Sequence, residues 1–262
     1  MINAYVFLMN MIDLKKDIVI GLGEIGIILY KLFSKSFVVE GFDINPKLIP
    51  KNLKKNELLS VRFLHICIPY TKNFNSQIIK LEKKFRPQGI VIHSTIKPST
   101  TSSIQRKLPI PVIYSATRGV HKRMLKDLRR YTKFFAIENN APNKKWACTE
   151  LVKLLKKSDL KSKQMSSPIT LELGKIVCDT SYYGWLINFA QISKIIADRE
   201  KVDYNEMWSF SNEIHKFLGN RPKMFPGFIG GHCVIPNLEL LNNNSLNQIK
   251  QINNTFKKIS NF

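Results

Sequence analysis

Asp17-Ile-Val-Ile-Gly-Leu-Gly-Glu-Ile-Gly26 decides the fold of this chain. Residues Asp17 to Ile20 read as a short apolar strand, and the run from Ile25 to Phe33 reads as an apolar helix. Gly21, Gly23 and Gly26 fill the turn between them. The first glycine permits the tight turn, the second lets a pyrophosphate approach the backbone, and the third allows close packing of helix on strand. The N-terminus of that helix faces the phosphates. The next strand, Phe37 to Asp43, ends in a carboxylate 22 residues after Gly21. Asp43 is placed to accept hydrogen bonds from a ribose hydroxyl pair, and it would repel a 2′-phosphate, so NAD is favoured over NADP. The opposing reading is a dinucleotide fold that has lost its cofactor. Glu24, a negative charge in the turn, keeps that reading open.

Outward from this stretch, Val61–Ile68, Gly89–His93, Val112–Tyr114 and Lys133–Ile137 read as further strands, with helices near Ile78–Phe85 and Trp146–Lys157. Strands alternating with helices predict an α/β fold: a Rossmann-type, doubly wound parallel sheet with right-handed crossovers. A polar stretch, Lys156 to Ser167, closes this part. Beyond Pro168 one long helix is expected from Ile169 to about Lys201, with Leu173, Ile176, Val177, Tyr183, Leu186, Ile187 and Ala190 at helical spacing. Two more helical stretches, near Asn205–Leu218 and Ser245–Ile259, flank a Gly-Gly-His-Cys loop at 230–233. The chain therefore divides into a dinucleotide-binding domain over residues 1–165 and a smaller, mainly helical domain over 166–262.

Bulk properties bound the partners. The 262 residues carry 41 Lys and Arg against 19 Asp and Glu, a net charge of +22. Such a balance fits a nucleic acid, a membrane surface or a phosphate-bearing substrate. It equally fits solvated charges in a composition rich in Lys, Asn and Ile, and no nucleic-acid module stands among the basic runs. The longest apolar runs are too short to span a bilayer. Residues 1–12 are apolar without a charged leader or cleavage site, and read as an extra strand or as residues upstream of the true start. Cys67, Cys148, Cys178 and Cys233 show no paired spacing, which argues against disulfides or zinc and fits a reducing cytoplasm.

Two further constellations carry chemistry. His93-Ser-Thr95-Ile-Lys-Pro98-Ser-Thr-Thr101 lies at the carboxyl end of a strand, the edge where open α/β sheets bind ligands. Thr95 is a candidate to position a nicotinamide, a substrate or a water, whereas Ser99, Thr100 or Thr101 read as a helix N-cap. Phe225-Pro-Gly-Phe-Ile-Gly-Gly-His-Cys-Val-Ile-Pro236 sets Cys233 behind two glycines, with Pro236 beyond it, so the thiol is expected on a loop. His232 is a neighbour able to lower its pKa. The plainer reading of Cys233 is a buried structural cysteine.

In order, Gly-Leu-Gly-Glu-Ile-Gly (21–26), Gly-Phe-Asp (41–43), His-Ile-Cys-Ile-Pro (65–69), Ser-Thr-Ile-Lys-Pro (94–98), Glu-Leu-Gly-Lys (172–175) and Gly-Gly-His-Cys (230–233) resemble the UDP-glucose/GDP-mannose dehydrogenase family, within the 6-phosphogluconate dehydrogenase-like group. The resemblance covers residues 17–240. It implies NAD-dependent oxidation of a sugar-nucleotide alcohol to a carboxylate, with the aldehyde carbon held by Cys233 as a thiohemiacetal and then a thioester. It also implies that Lys175 supports charge on the reacting oxygen, as an ammonium near an oxyanion does. The plainer reading of Lys175 is an exposed lysine on an amphipathic helix.

The departures are specific. The family's asparagine four residues after the lysine is Asp179 here, and its Ser-Pro-Glu-Arg is Ser115-Ala-Thr-Arg118, which puts Thr117 at the glutamate position. Cys-x-Pro becomes Cys233-Val-Ile-Pro236, and the sequence stops at Phe262, where the family continues into a C-terminal UDP-binding domain. A shortened form is therefore expected. Arg118, His121, Lys122, Arg123 and Arg129–Arg130 offer a substitute anion site, against the plainer reading of a solvated basic helix. The expected protein is a cytoplasmic NAD-dependent oxidoreductase acting on an anionic, sugar-linked alcohol. It is dimeric through its long helix, and a non-catalytic NAD-binding or scaffold protein is the alternative.

Overall fold

A computed structural model describes residues 14–50, 58–218, 226–231, 233–240 and 244–259. The expected N-terminal strand over residues 1–12 lies outside them, as does His232. The chain forms two compact units that divide between Glu172 and Leu173.

The first unit is built on a seven-stranded sheet: β1 (Lys16–Ile20), β2 (Val38–Phe42), β3 (Val61–Ile66), β4 (Gly89–Ile92), β5 (Val112–Tyr114), β6 (Lys133–Ile137) and β7 (Ser162–Gln164), in the order β2-β1-β3-β4-β5-β6-β7. Among the described residues, the α-helices that connect the strands are α1 (Gly26–Phe33), α2 (Phe74–Phe85), α3 (Thr100–Gln105), α4 (Met124–Arg130) and α5 (Lys144–Lys157). Apolar residues on both faces of every central strand explain the parallel arrangement, since such strands must be covered on both sides. Val19, Phe63, Val91, Ile113 and Phe135 face a core completed by Leu29 and Phe33 of α1, Leu128 of α4 and Leu151 of α5. Ile18, Leu64, Ile90, Ile92 and Tyr114 face the other core, with Phe74 and Ile78 of α2 and Ile104 of α3.

Three features depart from the sequence reading. β6 runs antiparallel to β5, so the sheet is not wholly parallel. The polar stretch 156–167 contains β7, an outer strand of Ser, Lys and Gln paired only with β6. Its polar, mostly exposed side chains show no apolar alternation, which is why the stretch reads as a loop. The pairing of β3 with β1 shifts between Lys16↔Val61 and Ile18↔Leu64, which places one extra residue in β3 opposite Asp17. This bulge turns Arg62 and Phe63 to the same face.

The second unit is helical. The helix α6 (Pro168–Leu173) ends at its border, and a π-helical segment, Gly174–Ser181, runs into α7 (Tyr182–Arg199). The hydroxyls of Thr180 and Ser181 donate to the carbonyls of Lys175 (3.1 Å) and Ile176 (2.7 Å), five residues back, and so satisfy the wider turn. The single α-helix expected over 169–201 is thus interrupted, because hydroxyl groups offer its carbonyls an alternative partner. The expected helix near 205–218 is two, α8 (Tyr204–Ser209) and α9 (Asn212–Leu218). After Cys233 the chain forms α10 (Val234–Glu239), and α11 (Asn244–Ile259) follows. Ile229, Val234, Leu238 and Ile249 form the core of this unit, with Trp185 and Ile187 of α7 packed against it.

Candidate functional site

The strand order reverses direction at β1, between β2 and β3, and the glycine turn stands directly behind β1. A ligand crevice is expected outside the carboxyl ends of the strands at such a point. Gly21 has φ +86°, and a Cβ on it would lie 2.9 Å from the Cys67 carbonyl oxygen and from Ile68 Cγ2. A Cβ on Gly26 would lie 1.7 Å from the Gly21 carbonyl oxygen. These two glycines lock strand to helix and admit no side chain. A Cβ on Gly23 would meet nothing within 4 Å, so the middle glycine presents bare, exposed backbone. The third element, α1, carries no acidic residue in its first turn.

Asp43 is at the end of β2 as expected, but its carboxylate is engaged. Oδ2 accepts from the Leu22 N–H (2.6 Å) and Oδ1 from the Asn45 N–H (2.8 Å). The side chain therefore braces the glycine turn, and each oxygen retains a second lone pair for a ribose hydroxyl. Glu24 is exposed.

Thr95 is half-buried at the carboxyl end of β4, beside Ser94, whose hydroxyl donates to the Ile68 carbonyl at 2.5 Å. The cap of α3 differs from expectation. Ser99 takes a left-handed conformation (φ 69°) and makes no side-chain cap. Glu172 caps instead: its carboxylate accepts from the N–H groups of Ser99 (2.6 Å) and Thr101 (3.0 Å) and from the Thr101 hydroxyl (2.6 Å). Burial raises the pKa of Glu172, and these hydrogen bonds oppose the rise.

Thr117, at the family's glutamate position, is buried and accepts from the Lys133 ammonium at 3.2 Å. Arg118 is tied to the Thr132 carbonyl (2.7 Å) over the Phe134 ring, and so does not join the anion site. Four other cations do gather: Lys122, Arg123, Lys126 and Arg129 line an open basin of about 500 Å³ floored by Ile28, Met124 and Leu125. Arg123 is paired with Asp127 (3.0 Å), and Arg129 lies 3.6 Å from Asp159.

In the second unit, Cys233 is exposed and not buried, at the N-cap of α10. Cys233 ends a non-helical segment, and the helix begins at the next residue, with Pro236 in its first turn, where proline is tolerated. The helix α10 packs against the π segment that carries Lys175 and Asp179. Gly184 makes this possible, since a Cβ there would stand 3.0 Å from Val234 Cγ1. Lys175 is not an exposed surface lysine. Its side chain is 12% exposed, and its ammonium meets the Asp179 carboxylate at 2.5 Å. The family's asparagine position thus holds a counter-ion that neutralises the lysine.

Sequence reasoning missed a polar clamp beneath the Gly-Gly-His-Cys segment. Buried Asn253 accepts from the Ile229 N–H (2.7 Å) and donates to the Ile229 carbonyl (3.1 Å). Buried Gln191 donates to the Gly227 carbonyl (2.7 Å) and to Asn253 (3.2 Å), and accepts from Asn188 (2.7 Å). The signal was present: Asn188 and Gln191 fall on the apolar stripe of a helix, where an amide must find a partner. Also missed was the chain of charged and imidazole side chains inside the sheet, Asp17, Arg62, His65, His93 and Lys133, all buried.

No protein-family model matches the sequence, and no curated protein matches it. Solved structures do. A UDP-D-ManNAc dehydrogenase from Pyrococcus horikoshii superposes with a TM-score of 0.77 at 19% identity, over 94% of this chain and 69% of that one. The UDP-N-acetyl-mannosamine dehydrogenase Cap5O from Staphylococcus aureus gives 0.68 at 19% identity, over 94% and 69%. A UDP-glucose dehydrogenase from Pyrobaculum islandicum gives 0.70 at 16% identity, over 92% and 68%. The chain has the fold of these UDP-sugar dehydrogenases, and spans about two-thirds of their length.

Proposed function

We propose that the protein is an NAD-dependent oxidoreductase acting on an alcohol of a phosphorylated or nucleotide-linked sugar. The observation that carries this reading is the interlocked pair Gly21 and Gly26 around the open backbone of Gly23, at the switch point of the sheet. That geometry leaves room for a pyrophosphate where a side chain would block it. Asp43, fixed by Leu22 and Asn45, favours NAD over its 2′-phosphorylated form. Bound NAD supplies the hydride acceptor.

The chain's own groups would do the rest. The basin of Lys122, Arg123, Lys126 and Arg129 suits the anionic end of the substrate. Cys233 adds its sulfur to the aldehyde carbon: a C–S bond forms, the carbonyl π bond opens, and the oxygen takes the thiol's proton. That aldehyde arises from the alcohol by a first loss of hydride to NAD and of the hydroxyl proton to solvent. A second NAD would take the hydride of the thiohemiacetal while its hydroxyl proton leaves to solvent, giving a thioester, which water cleaves to a carboxylate, a proton and the free thiol. Lys175 would support the oxygen while Asp179 balances its charge, and Thr95 would orient the ligand at the β4 edge. The exposed apolar side chains Tyr182, Phe189 and Ile196, spaced seven apart on α7, support a homodimer through that helix. Four thiols support a reducing cytoplasm. Among the described residues no helix is long and apolar enough to cross a membrane.

Purified protein mixed with NAD and a panel of sugar nucleotides should produce NADH absorbance, and Cys233→Ser should abolish carboxylate formation. Unchanged turnover in Cys233→Ser would overturn the thiol route. A second reading, a non-catalytic NAD-binding protein, is favoured by the neutralised Lys175 and by the threonine in place of the glutamate. NADH binding without turnover on any member of the panel would select it.

A further inference from the structure

A seam of charged and titratable side chains crosses the first unit beneath α1. It starts in the N-terminal half of β1 and β3. There Arg62 holds Asp17 through two bonds, Nε to Oδ1 at 3.0 Å and Nη2 to Oδ2 at 2.6 Å, and reaches Glu150 at 3.0 Å. The bulge in β3 makes this possible, and Asp17 Oδ1 also accepts the Phe63 N–H within it (3.2 Å). His65 follows, with Nε2 at 3.5 Å from Asp17 Oδ2 and its ring against Phe33 and Phe63. Its Nδ1 meets His93 Nε2 at 3.0 Å, and His93 Nδ1 meets the Ser115 carbonyl at 3.1 Å. Lys133 closes the seam, donating to the carbonyls of Ser115 (2.9 Å) and Ala116 (3.4 Å) and to Thr117 Oγ1 (3.2 Å). Because β6 runs antiparallel to β5, its first residue stands at the carboxyl edge of the other strands, beside the loop that follows β5.

The proton positions follow from the acceptors. A carbonyl oxygen only accepts, so His93 Nδ1 carries a hydrogen. Neutral His93 then offers a lone pair at Nε2, and His65 Nδ1 must donate to it. His65 Nε2 faces a carboxylate held ionised: burial pushes the Asp17 pKa up, but hydrogen bonds from His65 and Arg62 outweigh it and leave it lowered. His65 Nδ1 therefore carries the hydrogen between the two rings, and a second proton on His93 would set N–H against N–H. Burial first, then Lys133 and His65, hold the His93 pKa well below its ordinary value. The groups facing His93 are His65 from β3, Ser115 directly after β5 and Lys133 from β6, with Asp17 and Arg62 one step further. The seam is not a proton relay, since the Ser115 carbonyl cannot pass a proton on.

We propose that His93 and Lys133 are positioning residues that hold the strand-end segment Ser115–Arg118 in one conformation at the candidate site, and that acid releases this segment. This rests on reading the carboxyl edge of the sheet as the site. Opening the segment frees His93 to take a proton with an ordinary pKa of about 6.5. The open form then binds the extra proton, so opening rises as pH falls below that value, about tenfold at pH 5.5.

Amide hydrogen exchange on the full chain, corrected for intrinsic rates, tests the proposal. Between pH 7.5 and 5.5 the amides of residues 115–118 should open about tenfold more, while those of β3 and of residues 21–27 hold. His93→Gln, which cannot be protonated, should remove the pH response, and Lys133→Met should leave the segment open at both pH values. Equal protection of wild-type 115–118 at the two pH values would overturn the proposal, as would a uniform rise across the sheet. The wild-type arm decides even if a variant fails to fold. NADH binding at pH 7.5, measured separately, reports on the proposed function and not on this brace.

Discussion

The glycine turn of the first unit and the cysteine segment of the second are built by opposite means. Around Gly21, Gly23 and Gly26 the shape is set by backbone meeting backbone, with 1.7 Å between a would-be Cβ and a carbonyl oxygen. Around Cys233 the backbone is held by side chains: Asn253 and Gln191 grip Gly227 and Ile229, and Val234 rests on Gly184. A backbone-built turn has few alternative sequences and no adjustable parts. A clamp of amides can be altered one bond at a time, so the cysteine segment can change its geometry without losing the fold.

Breaking the first region should have the largest effect. Gly26→Ala has no space for its methyl, so NADH binding should be lost and stability lowered by about 3 kcal/mol or more. Gly23→Ala, with an open position, should fold normally while NADH binding weakens. Fluorescence titration with NADH alongside denaturant unfolding separates them, and equal behaviour of the two variants would contradict the assigned roles.

The clamp should show a smaller and differently placed effect. Asn253→Ala leaves the buried N–H and C=O of Ile229 without their partner, which costs about 2–4 kcal/mol. Unfolding should shift by that amount while NADH affinity stays within twofold of wild type. A large loss of NADH affinity would erase the contrast between the regions.

The smallest test compares thiols. Burial pushes the Cys67 thiol, packed under the glycine turn, up to about 12, and burial also raises Cys148. Cys178 and Cys233 are exposed. Brief alkylation near pH 8 followed by peptide mass spectrometry should mark Cys178 and Cys233 and spare Cys67. Early labelling of Cys67 would show that the turn opens readily.

What the sequence made legible follows the same division. Gly21, Gly23, Gly26 and Asp43 were found because a strand-to-helix turn admits few residues, and their spacing states the geometry. The strand runs of β1 and β3 to β6 were found because buried strands are mainly apolar, and β2 because it follows the first helix and ends at Asp43. The reversal of β6 was not, since Lys133-Phe-Phe-Ala-Ile137 reads the same in either direction. Nor was the bulge at Arg62, which depends on pairing with Asp17 across 45 residues of sequence. Cys233 and Lys175 were found through motif likeness. Their surroundings, the Asn253 clamp and the Asp179 ion pair, depend on which helix face meets which, and local spacing does not record that. Arg62 and His65 inside an apolar strand were the available sign of the seam, because a buried charge must be paired.

The π segment Gly174–Ser181 has a consequence for inheritance. A wide turn of this kind is what remains when one residue is inserted into an α-helix, and each α-helical residue advances the face by about 100°. Across such a turn Lys175 and the apolar stripe of Tyr182–Arg199 stand in a different phase from the one a continuous α-helix would give them. Removing one residue between 176 and 181 would let the helix close to α and swing that stripe through the same angle. In this molecule the orientation of the lysine relative to the helix face behind it is a matter of reading length, which point substitutions leave untouched and a one-residue deletion resets.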